Sequence, residues 1–428
     1  MNRRDFLYQT GAFTAAAGLA HVDSLAEQLG ASGKEAPVIM ITSGWQPVNI
    51  GDIAHTPGLI GLLKERLPKS RLILWKRSKN QGVEDMLTKH YPGLKIIHGS
   101  VNKEFEPQSE EVKQAFKDAD FFMHGSGPSV IAADYLEAWH RQTAKPFGIF
   151  GVTIGSVSPS LKSLLQNASF IFTRETASIE VLKKAGLHGD HIAFAPDATF
   201  DLDIQDQAKA REFMQANQLE SRKFICVVPR LRMTPYYKIN PNNAGWSAEK
   251  IKQVNELNDK HKETDHAKLR EAMVAWVRST KNKIVVCPEM TYQVNIMDEL
   301  LIDPLPDDVK PYVVKHGYWY PDEAASLYAQ AHTVLSFECH SPIIAAANGT
   351  PAFYLRQPED TIKGQMYYDL GLADWTFEIE QSTGQQISDR LMQVHANYKV
   401  ATKNVKQSLD KVDKQYDEAF KIMKRTMA

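Results

Sequence analysis

At 428 residues, 43% apolar and 24% charged, the chain holds enough apolar material for two packed domains and is not a disordered segment. Its 50 Lys and Arg nearly balance 51 Asp and Glu, so no basic field points to a nucleic-acid partner. Cys226, Cys287 and Cys339, in "FICVV", "IVVCP" and "SFECH", are odd in number and far apart. They read as core thiols and not as a disulfide framework or a zinc knuckle.

The chain opens on "MNRRDFLYQTGAFTAAAGLAHVDSLAEQ", where Arg3-Arg4 precede Phe6-Leu7 and an Ala/Gly-rich, weakly apolar run. This order predicts a twin-arginine signal over residues 1–26, cut after Ser24-Leu25-Ala26, and hence export to the periplasm; an amphipathic N-terminal helix is the alternative. No other segment approaches the ~18 apolar residues of a membrane span, so the mature protein is expected to have none.

From residue 37 to about 205, short apolar runs ("VIMITSG", "RLILW", "LKIIHG", "DFFMHGSG", "FGIFGVTIG", "SFIFTR", "IAFAPD") alternate with amphipathic windows. Such alternation predicts a mostly parallel sheet wrapped by helices. It restarts over 220–380 with "KFICVVPR", "KIVVCPE", "YVVKHG", "TVLSFE" and "AFYLR". The expected fold is therefore α/β, two Rossmann-like domains facing across a cleft. A polar insertion at 231–265 carries Tyr236, Tyr237 and Trp246, read either as rings for sugar stacking or as ordinary loop packing. A charged helical tail is expected over 386–428.

Candidate site residues fall where strands end, because ligands of doubly wound sheets bind at that edge. In "SGWQPVNIGDIAHTPGLIGLL", Asn49, Gly51 and Asp52 precede a helix expected to open at Thr56-Pro57; they read as ligand groups or as an Asx-turn. In "MHGSGPS", Gly125, Ser126 and Gly127 offer backbone amides, without the Lys or the Gly spacing of a nucleotide loop. Arg174 and Asp197 each follow a strand, and the Arg reads as a carboxylate clamp or an interdomain salt bridge. Arg230 and Arg232 stand similarly in the second half. In "LSFECHSPIIAAANGTPAFYLR", Ser341 suits an N-cap and Pro342 the first helical position, aiming free amides at an anion, and His340 beside them reads either as an acid/base group, better suited to a general base, or as a structural His satisfied by the backbone.

Together "NIGDIA", "MHGSGPS", "GVTIGS", "TRETASIEVLKKAG", "APDATFDL", "ECHSPIIAAANGTPAFYL" and "KGQMYYDLGL" resemble the polysaccharide pyruvyl transferase family over about residues 38–375. The resemblance implies a GT-B-like architecture and transfer of a pyruvyl group from phosphoenolpyruvate to a sugar hydroxyl; the sequence assigns no metal ligand and no cofactor. It assigns Asn49, Gly51 and Asp52 to the family's N-x-G-D element, Arg174 and Ser178 to R-x-x-x-S, Asp197 to P-D, and His340-Ser341 to R-L-H-S. Where the family has Arg-Leu-His this chain has Glu338-Cys339-His340, an acid in place of an anion-binding cation. Glu338 and His340, two residues apart on a strand end, would then serve an exported hydrolase that removes pyruvate ketals from polysaccharide, while an inert pair would serve a glycan-binding protein.

Overall fold

The computed structural model describes residues 36–239 and 245–427; the expected export signal, residues 1–26, lies outside them. Two compact units are present. The first comprises residues up to Pro47, Asp52–Ile204 and Lys411 onward, and the second Val48–Gly51 and Gln205–Asp410. The fold is α/β with two Rossmann-like sheets.

The first unit holds a seven-stranded sheet ordered β3-β2-β1-β4-β5-β6-β7, made of β1 (Val38–Thr42), β2 (Arg71–Trp75), β3 (Lys95–Ile97), β4 (Phe121–His124), β5 (Phe147–Val152), β6 (Phe170–Thr173) and β7 (Ile192–Phe194). All its pairings are parallel. Every residue of β1, β4, β5 and β6 is buried, which is why these segments read as continuous apolar runs and not as alternating ones. The order reverses direction between β1 and β4, so the carboxyl ends of those two strands flank the crevice where such sheets take ligands.

The second unit repeats the plan with six parallel strands ordered β10-β9-β8-β11-β12-β13: β8 (Phe224–Val228), β9 (Lys283–Val286), β10 (Val313–Lys315), β11 (Thr333–Ser336), β12 (Ala352–Arg356) and β13 (Thr376–Glu378). Its switch point lies between β8 and β11, which puts Arg230 and residues 337–340 at the crevice. The three-residue β13 has no counterpart in the apolar runs of the sequence.

Within 231–265, residues 231–233 pass out of the sheet and are clamped by Asn258, whose amide donates to Met233 O (2.9 Å) and accepts from Met233 N (2.9 Å). A helix then runs over Ala248–Thr280, opened by Ser247, whose hydroxyl accepts from Lys250 N. Its first half reads as a polar insertion because its apolar residues are sparse. Val254 nevertheless lies on the buried side, and Lys and Glu or Asp pairs three to four apart support the exposed side. Tyr236 and Tyr237 pack against Trp246 with ring centroids 6.3 and 5.8 Å apart, and Tyr237 Oη donates to Asn255.

The C-terminal segment is helical over Gly384–Ala396 and Tyr398–Met427. From Lys411 it counts with the first unit, burying Val412, Tyr416, Phe420 and Met423, while the Arg66 guanidinium lies 5.5 Å over the Tyr416 ring. No helix among the described residues is long and apolar enough to cross a membrane. The three cysteines are free and buried.

Candidate active site

In the first unit the Gly125–Gly127 turn, Arg174 and Asp197 are tied together by hydrogen bonds within the unit. Gly125 N donates to Thr42 O (2.8 Å), Gly127 O accepts from Thr153 N (2.9 Å), and the Ser126 hydroxyl accepts from Ala198 N (2.9 Å). The "GSG" turn therefore ties strand ends together, and Gly125 does not hold its amide open for an anion. His124, just before it, bonds Gly125 O through Nδ1 and accepts from Ala132 N through Nε2; burial pushes its pKa down to about 3, which fixes the neutral ring.

Arg174 is 1% exposed. It donates to Asp197 Oδ2 (2.7 Å) and, through Nε, to Thr153 Oγ1 (2.8 Å), with Glu175 at 3.9 Å. Of the two sequence readings, a carboxylate clamp or an interdomain bridge, the structure gives a third: a salt bridge inside the first unit. Ser178, of the same element, accepts from Ile154 N (2.7 Å) and bonds Glu175. Asp197 also caps Thr199 N (3.0 Å), and its backbone carbonyl accepts from Tyr416 Oη (2.7 Å). His55 Nε2 stands 3.4 Å from Asp197 Oδ2, and His55 Nδ1 stands 4.0 Å from Asp52 Oδ1.

The second unit gathers Asn49, Gly51, Arg230, Glu338, His340 and Ser341 around a residue the sequence reading passed over, Glu289. The helix containing Gly51 starts at Ile50, not at Thr56-Pro57, because the Asn49 side chain accepts from Gly51 N (2.7 Å) and opens it six residues early; Pro57 lies inside. Asn49 forms an antiparallel bridge with Met290, and Ile50 N donates to Glu289 O (2.9 Å). Gly51 is needed for close approach: a Cβ there would stand 2.3 Å from His340 Nδ1.

The second helix at this site runs His340–Ala347 with Cys339 at its N-cap and no side-chain cap bond from that residue. Ser341 is thus inside the helix and does not cap it. Its N–H (2.6 Å) and hydroxyl (2.8 Å) both donate to Glu289 Oε2, so a carboxylate brought from the loop after β9 replaces the missing cap acceptor. His340 Nδ1 faces the other oxygen, Oε1, at 3.4 Å. Burial pushes Glu289 up, but the His340 and Ser341 hydrogen bonds outweigh it and hold the carboxyl below its ordinary value. From the "KGQMYYDLGL" segment Tyr367 Oη donates to Cys339 O (2.5 Å), fixing the start of the helix.

Glu338 does not alternate with His340 along a strand, since β11 stops at Ser336 and Glu338 sits in a turn closed by Ser336 Oγ (2.8 and 2.9 Å). Its Oε1 accepts from Gln293 Nε2 (2.7 Å), and its Oε2 stands 3.3 Å from Arg230 Nε. Arg230 Nη1 donates to Asp360 Oδ1 (2.5 Å), and Lys363 stands 3.0 Å from the same oxygen. Burial lifts the Glu338 carboxyl to about 7, with Arg230 pulling the other way. Asp360 is driven up by burial but held well below the usual carboxylate range by Arg230 and Lys363. Arg232 is bidentate to Asp265 (2.8 and 3.0 Å) and reaches Glu380 (2.6 Å), so it is a structural brace.

Sequence reading missed Glu289, Gln293 and Asp360. The available signal was position: Glu289 follows β9 by three residues in "IVVCPEM", at the same sheet edge as Arg230 and Glu338.

The profile of the family described as polysaccharide pyruvyl transferase matches residues 49–357. No curated protein matches the chain. Among solved structures, UDP-GlcNAc 2-epimerase from Neisseria meningitidis superposes with a TM-score of 0.55 at 12% identity, covering 90% of this chain and 99% of its own. Anabaena Alr3699/HepE in complex with UDP-glucose gives 0.53 at 12% identity, covering 91% and 98%. E. coli ADP-heptose lipopolysaccharide heptosyltransferase II gives 0.50 at 12% identity, covering 85% and 99%. At these identities the likeness is one of fold, the GT-B type.

Proposed function

The chain belongs to the polysaccharide pyruvyl transferase family, whose members modify glycans, and from that premise we propose that it transfers a pyruvyl group from phosphoenolpyruvate to a sugar, with His340 as the acid/base. The observation carrying this reading is the pairing of His340 Nδ1 with Glu289 at the start of a helix on the β8/β11 switch point. A buried carboxylate behind an imidazole orients the ring and stabilises its cationic form during proton transfer. In the reaction two sugar hydroxyl oxygens bond to C2 of the enolpyruvyl group and its C2–O bond to phosphate breaks. Of the two hydroxyl protons, one goes to C3, which becomes a methyl, and one leaves with phosphate. His340 carries the proton from hydroxyl to C3, and Arg230 faces the donor anion.

A second reading, removal of pyruvate ketals, is favoured by Glu338, whose carboxyl near pKa 7 has the profile of a general acid at neutral pH. Water oxygen would then bond to the ketal carbon, both bonds to sugar oxygens would break, and pyruvate and two hydroxyls would result. Glu338 would protonate a leaving sugar oxygen while His340 takes a proton from water. The Arg3-Arg4 pattern supports this reading, because an exported protein meets polysaccharide and not a cytoplasmic metabolite. Retention of an Arg3→Lys/Arg4→Lys variant in the cytoplasm would support export, and its normal secretion would remove that argument.

The deciding assay supplies purified protein with phosphoenolpyruvate plus sugars, and separately with pyruvylated polysaccharide. Sugar-dependent phosphate release selects transfer. Pyruvate release from the polysaccharide selects hydrolysis, and neither product with retained glycan binding overturns both enzymatic readings.

A further inference from the structure

The second unit holds Arg230, the cation that the proposed reaction turns toward the donor anion, in a closed state. Arg230 is buried, and its fork is already engaged by Asp360. Its Nε stands 3.3 Å from Glu338 Oε2, yet makes no hydrogen bond of acceptable geometry, so a buried donor is left without an acceptor. The residues behind Glu338 define which of its oxygens can carry a proton. Gln293 Oε1 accepts two backbone amides, Glu289 N (2.7 Å) and Met290 N (3.0 Å), which fixes the amide so that its NH₂ points at Glu338 Oε1. Oε1 is thus an acceptor in either protonation state, and the proton of a neutral Glu338 must sit on Oε2, the oxygen facing Arg230.

We propose that protonation of Glu338 converts its pairing with Arg230 into a two-donor site for a small carboxylate or phosphate-type anion. Ionised, Oε2 is the counter-charge of Arg230 and competes with any incoming anion. Neutral, its O–H opposes the Arg230 Nε–H, the pairing opens, and both donors turn toward one ligand oxygen. The surrounding charges lean the same way. Glu338 is faced by Arg230 after β8, Glu289 after β9, and Asp360 and Lys363 in the 358–364 turn, while His340 and Tyr292 border these groups. Two fixed cations, Arg230 and Lys363, thus meet three carboxylates when Glu338 is ionised and two when it is not. A carboxyl that burial lifts to about 7 makes this change near neutral pH. The inference deepens the proposed reading of the site, since it assigns anion capture at Arg230 to a protonated state.

The test uses sulfate and pyruvate as probes, because neither titrates between pH 6 and 8. Calorimetry on the full chain should show affinity falling up to about tenfold per pH unit above 7, with proton uptake per anion bound rising toward one over the same range. Glu338→Gln should bind with the strength of wild type at pH 6 and without pH dependence, because Gln293 holds the new carbonyl and leaves an NH₂ donor toward Arg230. Wild-type affinity that is flat with pH, absence of anion binding at every pH, or the same slope in Glu338→Gln would each overturn the proposal. Should Glu338→Gln unfold, the slope and the proton uptake of wild type decide alone. Binding with the predicted slope but no turnover leaves this inference standing and removes the transferase reading; turnover with flat binding does the reverse.

Discussion

The two units present the same sheet edge to different ends. At the first, the buried Arg174 is matched by Asp197 and held by Thr153, and the glycine-serine turn bonds to neighbouring strand ends within the unit. At the second, the groups that anchor the edge are carboxylates whose pKa values have been driven apart: Glu289 and Asp360 down, Glu338 up to about 7. Groups with separated pKa values in one crevice are what acid–base chemistry requires, whereas a matched pair is a clamp. Sequence position alone did not separate the two cases, because Arg174 and Arg230 both follow a strand.

The comparison breaks most severely if the clamp proves reactive. Arg174→Ala removes one partner of a buried pair and strands Asp197, and should cost about 3–5 kcal/mol in denaturant unfolding. Activity per folded molecule should change by less than about tenfold; a larger loss in folded protein would make the first edge part of the chemistry.

Glu289→Gln sharpens the other side. It keeps the shape but removes the charge behind His340 and an acceptor for Ser341, which should cost on the order of 1–3 kcal/mol and about tenfold or more in rate. The sign with pH follows from the lowered carboxyl. The stabilisation is fully present above the ordinary value of 4.5 and is lost as pH falls through the folded-state value. The gap in thermal midpoint between wild type and Glu289→Gln should therefore be widest at neutral pH and close on acidification; a constant gap would show that charge is not involved.

Gly51→Ala is the mildest change. Its methyl would overlap the His340 ring, 2.3 Å from Nδ1, and should lower kcat severalfold by displacing the imidazole while leaving KM nearly unchanged. Unchanged kinetics would mean that the ring position is not critical.

Among the described residues twelve of the thirteen strands were legible as apolar runs, the central ones because burial on both faces suppresses alternation, and β13 was not because Thr376–Glu378 holds a single apolar residue, Phe377. Two helix starts were misplaced, one because its anchoring group comes from elsewhere in the chain and one because an earlier local group opens it. Ser341 has the residue type of an N-cap, but it donates to Glu289, a residue 52 positions away, and no local rule contains that contact. Thr56-Pro57 has the look of a first turn, yet Asn49 opens the helix earlier. Likewise Glu338 was legible as a charge reversal beside His340, whereas its partners Gln293 and Arg230 are brought to it only by the strand order β9-β8-β11.

The most direct test of the account is the rate and thermal midpoint of His340→Ala, measured in the assay that wild type passes, whether sugar-dependent phosphate release or pyruvate release. The account predicts a loss of about 10²–10⁴-fold in rate, the scale of a lost acid/base, with a loss of stability no larger than the ~1–3 kcal/mol expected when the buried Glu289 carboxylate loses one partner. A variant that loses its stability while keeping the wild-type rate per folded molecule would show His340 to be a structural residue and would contradict the account.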